Sequence, residues 1–200
     1  MTRFAVKLII LLSLVQLTGC TSFRTSNSYM SVLRAEESLR PAPGHALYLF
    51  QRDNARVAEW SALNLWEITD EVPRLVGLLH GKMKASWSVP PGEHDFMLVL
   101  GGKTQILRTR SDADKTYFVK LNHNAWGRHG PAIYTFSPIR AEDENSMTAA
   151  RVSHFNDNAR EWEQESLTSA MSHREKAYAQ WKGYSEEEKS YFSMLPEDGR

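Results

Sequence analysis

Met83-Lys84-Ala85-Ser86-Trp87-Ser88-Val89-Pro90-Pro91-Gly92-Glu93-His94-Asp95-Phe96-Met97-Leu98-Val99-Leu100 is the stretch whose reading decides the fold. Its first part alternates, with Met83, Ala85, Trp87 and Val89 set against Lys84, Ser86 and Ser88. A period of two is the pattern of a strand with one face in a core. Pro90-Pro91-Gly92-Glu93 is then a turn, because proline presets φ and glycine relaxes it. Phe96 to Leu100 returns as a second strand. Gly101-Gly102 suits a tight hairpin, since both central residues of a type I′ turn need positive φ.

The same grammar extends in both directions. Upstream, Leu47-Tyr48-Leu49-Phe50 is a compact apolar run and the expected first, central strand. Ala62 to Ile68 alternates Leu63, Leu65 and Glu67 against Asn64, Trp66 and Ile68, and Arg74 to Leu79 is a third run. Downstream, Lys103 to Arg110 is the hairpin partner with Ile106 on the core face, Thr116 to Leu121 follows the turn Ser111-Asp112-Ala113-Asp114-Lys115, and Ala132 to Phe136 is the last strand. Roughly seven or eight short strands spaced about ten residues apart argue for an antiparallel β-sandwich or partly open barrel. No helical run long enough for a parallel crossover lies between them. The expected fold class is therefore mainly β: an antiparallel β-sandwich-like module over residues 45–140, with a linker and C-terminal α-helical segment over residues 141–200.

After Ser153 the period changes. Phe155, Ala159, Trp162, Leu167, Met171, Tyr178 and Trp181 fall near one face of a helix. Asn156 or Asp157 can cap its start, Glu161, Glu163 and Glu165 suit its positive end, and Lys176 and Lys182 its negative end. Gly183 is placed to stop it. Ser185-Glu186-Glu187-Glu188 reads as a capping box opening one more short turn, and Pro196 to Arg200 as a loose tail.

The N-terminus speaks of location. Arg3 and Lys7 precede the apolar run Leu8-Ile9-Ile10-Leu11-Leu12-Ser13-Leu14-Val15. At about 1.5 Å per residue that run is too short for a hydrocarbon core of roughly 30 Å, so residues 1–19 read as a signal peptide. Leu17-Thr18-Gly19-Cys20 follows, and Cys20 is the only cysteine in the chain. This tetrapeptide resembles the lipobox of bacterial lipoproteins. The resemblance implies diacylglycerol on the Cys20 thiol, cleavage before Cys20 and N-acylation, typically with palmitate. Thr21, where an aspartate tends to retain such proteins at the inner membrane, implies the outer membrane. Residues 20–44 would then be the lipidated Cys20 and a polar tether, with a short helical turn across Ser31 to Leu39 and with Pro41 and Pro43 marking the domain boundary.

A second resemblance covers about residues 45–136. A first strand like Ala46-Leu47-Tyr48-Leu49-Phe50, a later Gly77, the turn Pro91-Gly92-Glu93-His94 and a strand like Thr116-Tyr117-Phe118-Val119 occur in that order. The chain is similar in this to a family of small, β-rich bacterial lipoproteins of unknown function. The resemblance implies fold and anchoring; no reaction comes with it.

Charge excludes one class of partner. Removing residues 1–19 takes Arg3 and Lys7 from 24 basic side chains, leaving 22 against 24 acidic. A near-neutral chain with no basic block offers nucleic acid no electrostatic footprint. The richest polar segment is Asn122-His123-Asn124-Ala125-Trp126-Gly127-Arg128-His129-Gly130. Asn122, His123, Asn124, Trp126 and Arg128 form a candidate glycan, peptidoglycan or peptide contact, although such residues are also ordinary at the end of a sandwich. Their spacing matches no metal-ligand pattern, and no cofactor is expected. His94 reads as a cap on its turn, and Ser86 and Ser88 lack a nucleophile elbow. Trp162, Tyr178 and Trp181 are candidates either for docking on the module's own sheet or for binding a partner. The expected function is non-enzymatic: an outer-membrane lipoprotein, facing the periplasm, with a structural or protein-interaction role, ahead of a glycan-binding module and, last, an enzyme.

Overall fold

The computed structural model of the protein describes residues 30–32, 40–52, 62–79, 83–123, 134–140, 151–155 and 157–200. Residues 1–19, read above as a signal peptide, and Cys20 lie outside the described residues. In chain order the strands are β1 (Met30–Val32), β2 (Ala46–Arg52), β3 (Leu63–Glu67), β4 (Arg74–Leu79), β5 (Met83–Val89) and β6 (Gly92–Leu100). They continue with β7 (Lys103–Ser111), β8 (Thr116–His123), β9 (Tyr134–Pro138) and β10 (Arg151–Phe155), and β11 (Ser193–Met194) follows the helices α1 (Asp157–Lys182) and α2 (Glu186–Tyr191). One sheet has the order β1-β10-β5-β2-β8-β9 and the other β11-β7-β6-β3-β4. The protein is thus a β-sandwich-like module with a C-terminal helical segment.

Aromatic rings make the contact between the sheets. Tyr48 of β2 lies 4.9 Å, centroid to centroid, from Phe96 of β6 and 5.0 Å from Tyr117 of β8. Phe50 meets Phe96 edge-on at 4.9 Å. Alternation along β6 then places Phe96, His94 and Leu98 between the sheets and Asp95, Met97 and Val99 on the opposite face. All six are buried. A sheet can bury both faces only if something covers the outer one, and α1 does so, packing on β6 and β7. The molecule is therefore three layers deep: sheet, sheet, helix. Ile106 is buried as expected, but its cross-strand partner is Met97, so it belongs to the layer under α1.

Both lateral seams of the sandwich are closed. At one, a Cβ added to Gly77 of β4 would sit 3.0 Å from the Ala85 Cβ of β5, so any larger residue there would force the two strands apart by a few tenths of an ångström. At the other, the Phe136 amide of the edge strand β9 donates to Gln105 Oε1 of β7 at 2.8 Å. The β4 edge is also spoken for, because the Leu75 amide donates to Glu163 Oε1 of α1 at 2.7 Å.

Four details differ from the sequence reading. Pairing is mostly antiparallel, yet β2–β8, β10–β5 and β11–β7 are parallel. The connection from β2 to β8 runs through β3, β4, β6 and β7 of the second sheet and β5 of the first, and these strands serve in place of a helix. Residues 30–32, assigned to the tether and a helical turn, pair antiparallel with β10. Phe155, assigned to the helix, ends strand β10, and the helix starts at Asp157. The tail is not loose: the Thr116 amide donates to the Arg200 carbonyl at 2.7 Å and the Arg200 amide returns to Thr116 at 3.1 Å. A few ladder bonds outweigh the local preference of a polar terminus, and no local pattern records them. The capping box does form, with Ser185 Oγ accepting from the Glu188 amide at 3.2 Å and the Ser185 amide donating to Glu188 Oε2 at 2.8 Å.

Gly77→Val is expected to push β4 off β5 and to lower the unfolding free energy by about 1–3 kcal/mol through overpacking. Urea denaturation at a fixed pH measures it, and an unchanged midpoint would show that the seam can open freely.

Candidate functional site

The densest polar cluster lies where the ends of β3, β5 and β6 converge. Glu67 is the last residue of β3 and is 1% exposed. Alternation turns it inward, beside Phe96 across the ladder. A carboxylate in that position must be hydrogen-bonded and paired to remain charged. It is. Oε1 receives His94 Nδ1 at 2.8 Å, while Oε2 receives Trp87 Nε1 at 2.8 Å and Arg74 Nη2 at 2.6 Å. Trp87 belongs to the other sheet, so Glu67 ties the two sheets together and fastens β4 to β3.

His94 completes the cluster. Its Nε2 lies 2.8 Å from the Pro90 carbonyl. Both ring nitrogens thus face acceptors, and only the doubly protonated imidazolium can donate to both. Burial alone would push the His94 pKa down, but the bond to Glu67, the Pro90 carbonyl and the charge of Glu67 outweigh it and raise the value above 6.5. Burial likewise opposes ionisation of Glu67, and the donors His94 and Trp87 with the charge of Arg74 prevail, lowering it below 4.5. Thr109 Oγ1 donates to the His94 carbonyl at 2.9 Å and accepts the Tyr48 hydroxyl at 2.8 Å, a second polar link between the sheets. Burial lifts the Tyr48 pKa to about 12, so this hydroxyl stays a donor.

The arrangement is closed chemically. A general base needs a free lone pair within reach of a substrate proton, and neither imidazole nitrogen offers one. His94 caps its turn, as its sequence position suggests, and adds the ion pair that sequence alone does not reveal.

The second cluster joins α1 to the outer face of the second sheet. Asp95 and Arg108 are cross-strand partners on β6 and β7 and form a bidentate pair, Nε–Oδ1 2.9 Å and Nη2–Oδ2 3.0 Å. Tyr178 places its hydroxyl 2.9 Å from Asp95 Oδ2 and 3.0 Å from the Ile68 carbonyl. Burial, reinforced by Asp95, lifts its pKa to about 12. Trp181 is buried beneath the Arg108 guanidinium, 5.2 Å from ring centroid to Cζ. Trp162 stacks on Trp66 of β3 at 5.9 Å. The three aromatic residues singled out on the helix are thus all engaged with the protein's own sheet.

The remaining candidates are divided. Asn122, at the end of β8, is partly exposed and pairs with Thr135 across the ladder; His123 is the last residue of the strand. Asn124, Trp126 and Arg128 lie outside the described residues. A cleft of about 450 Å³ opens between α2 and the C-terminal tail, lined by Arg140, Ser190, Ser193, Leu195, Glu197 and Asp198. Arg140 is committed there, donating to Asp198 Oδ2 at 2.6 Å and to the Ser193 carbonyl at 3.1 Å. No group of three or more His, Cys, Asp or Glu among the described residues is placed to hold a metal ion. No helix among them is long and apolar enough to cross a membrane.

One of these features left a trace in the sequence. Glu67 is an acid at an inward position of an alternating strand, and a lone charge in that register signals a partner. Asp95 and Arg108 left none, because their pairing depends on hairpin register. Comparison with known protein families and with curated proteins finds no family model and no protein that matches the chain.

The signs of the two shifts set a pH window. The Glu67 contribution to stability is present above about pH 4.5 and is lost as pH falls through its lowered folded value. The His94 contribution is present below about pH 6.5 and fades as pH rises through its raised folded value. Glu67→Gln is expected to cost about 3 kcal/mol, the scale for breaking a buried pair. The difference from wild type should be largest between about pH 4.5 and 6.5 and shrink on either side. Denaturant midpoints across pH test this; a difference independent of pH would mean that the pair is not ionic.

Proposed function

We propose that the protein is a lipid-anchored module of the bacterial envelope, acylated on Cys20, held at the outer membrane and facing the periplasm. Its folded domain serves a non-enzymatic structural or protein-interaction role. The observation that carries this reading is Leu17-Thr18-Gly19-Cys20, set directly behind Arg3, Lys7 and the apolar run of residues 8–15. A diacylglycerol thioether and an amide-linked chain bury enough methylenes, at about 0.8 kcal/mol each, to hold a domain at a bilayer stably. Thr21 in place of an aspartate favours the outer membrane. The resemblance of the Pro91-Gly92-Glu93-His94 region to small β-rich lipoproteins belongs to the same reading.

The non-enzymatic part draws support from how the charged groups are used. Glu67 with His94, Asp95 with Arg108, and Arg140 with Asp198 are each closed on one another across structural seams. Because Trp162, Tyr178 and Trp181 are spent on α1 docking, a protein partner would have to meet a different surface.

The test is fractionation of cells expressing the full-length chain. Cys20→Ser should abolish incorporation of labelled palmitate and release the protein from the membrane fraction. An uncleaved N-terminus with unchanged membrane association would instead make residues 1–19 a plain hydrophobic anchor.

A further inference from the structure

The one element of the tether that the structure describes is β1, and its position limits where the domain can sit relative to a lipid on Cys20. Met30, Ser31 and Val32 pair with Phe155, His154 and Ser153, so β1 extends the first sheet at its β10 edge. From Cys20 to Met30 is ten residues, and from Cys20 to Ala46, the start of the first core strand, is 26. Fully extended, these reach at most about 35 Å and about 90 Å. As coils, ten residues span about 17 Å and 26 residues about 28 Å. The width of the first sheet is the comparison that matters: six strands at roughly 4.8 Å spacing put its β1 and β9 edges about 24 Å apart. A tether fixed only at Ala46 spans more than that width and holds no edge nearer the bilayer. A tether fixed at Met30 spans less.

We infer that β1 docks the tether onto the folded domain and so makes the β1–β10 edge the membrane-proximal face, with the lipid bilayer as its partner. The inference rests on the anchor proposed at Cys20. Met30 is paired with Phe155, and α1 starts two residues after Phe155, so the chain to the lipid leaves beside the N-terminal turn of α1. From there α1 runs outward across the second sheet. Glu163 near its start bonds the Leu75 amide of the edge strand β4. Trp181 near its end packs under Arg108 of β7, on the opposite side. The far side therefore carries α2, the C-terminal tail and the Arg140 cleft, and these are presented to the periplasm, away from the lipid.

The geometry can be read by energy transfer from labelled positions to the bilayer. The full-length protein is expressed with its signal peptide, purified in its lipidated form and placed in phosphatidylethanolamine–phosphatidylglycerol vesicles carrying an acceptor-labelled lipid. Cys20 is the only cysteine and acylation blocks its thiol, so Glu161→Cys and Glu187→Cys, both at exposed positions, can each be labelled cleanly with a donor. Transfer is expected to be roughly twofold higher from position 161 than from 187, for edges about 24 Å apart. In the variant Met30→Pro/Ser31→Pro that difference should disappear. Consecutive amides of a strand point to opposite sides, so one of the two prolines must remove a ladder bond. Equal transfer from the two positions, or a difference that survives the prolines, overturns the docking inference and leaves the anchor standing. Vesicle binding unchanged by Cys20→Ser overturns the anchor and the orientation together.

Discussion

The second sheet is buried on both faces, and most of the molecule follows from that constraint. One face of β3, β6 and β7 packs on the aromatic cluster of the first sheet, the other lies under α1. Except at exposed positions such as Arg108 and Arg110, a strand there has no solvent side on which to leave a polar group. Each one it carries must find a partner within the protein or bear a desolvation cost of roughly 1–3 kcal/mol. Glu67, His94, Asp95 and Thr109 are buried polar residues of this layer, and each of these four is bonded across a strand or layer boundary, whereas Gln105 bonds through Oε1 and leaves its buried Nε2 without a partner among the described residues.

The polar groups therefore act as registers. Hydrophobic burial is non-directional and would tolerate the sheets sliding over each other. Hydrogen bonds of 2.6–3.0 Å from Trp87, Arg74 and His94 to one carboxylate, and from Tyr178 and Arg108 to another, do not. One set positions sheet on sheet, the other helix on sheet. Removing one partner of a buried pair costs about 3–5 kcal/mol because it leaves the other charge uncompensated. The same closure engages both nitrogens of His94 and both carboxylate oxygens of Glu67.

The edges obey a related rule. An open sandwich exposes unpaired backbone groups that invite strand-to-strand association. Here the Leu75 amide of β4 is taken by Glu163, the Phe136 amide of β9 by Gln105, and β10 is covered by β1. The last of these uses residues 30–32, well upstream of the first core strand. The tail on Thr116 and the Arg140–Asp198 pair secure the far side.

The sequence by itself determined what short-range chemistry can encode. Period-two alternation in Met83–Val89, the glycines after Leu100, the capping box at Ser185 and the apolar stripe after Ser153 were enough for the strands, hairpin and helices, and with them the β-sandwich class. The inward acid Glu67 and the turn-capping His94 were half legible: their register showed, their partners did not. The tertiary structure alone decided the parallel neighbours β2–β8, β10–β5 and β11–β7, the strand formed by residues 30–32, the ordered tail and the choice of α1 to cover its own sheet. These all rest on contacts between residues far apart in the chain. Propensity and period record what a residue prefers beside its neighbours in sequence, whereas pairing across many residues is settled only when a whole face must be covered and most buried polar groups must find partners.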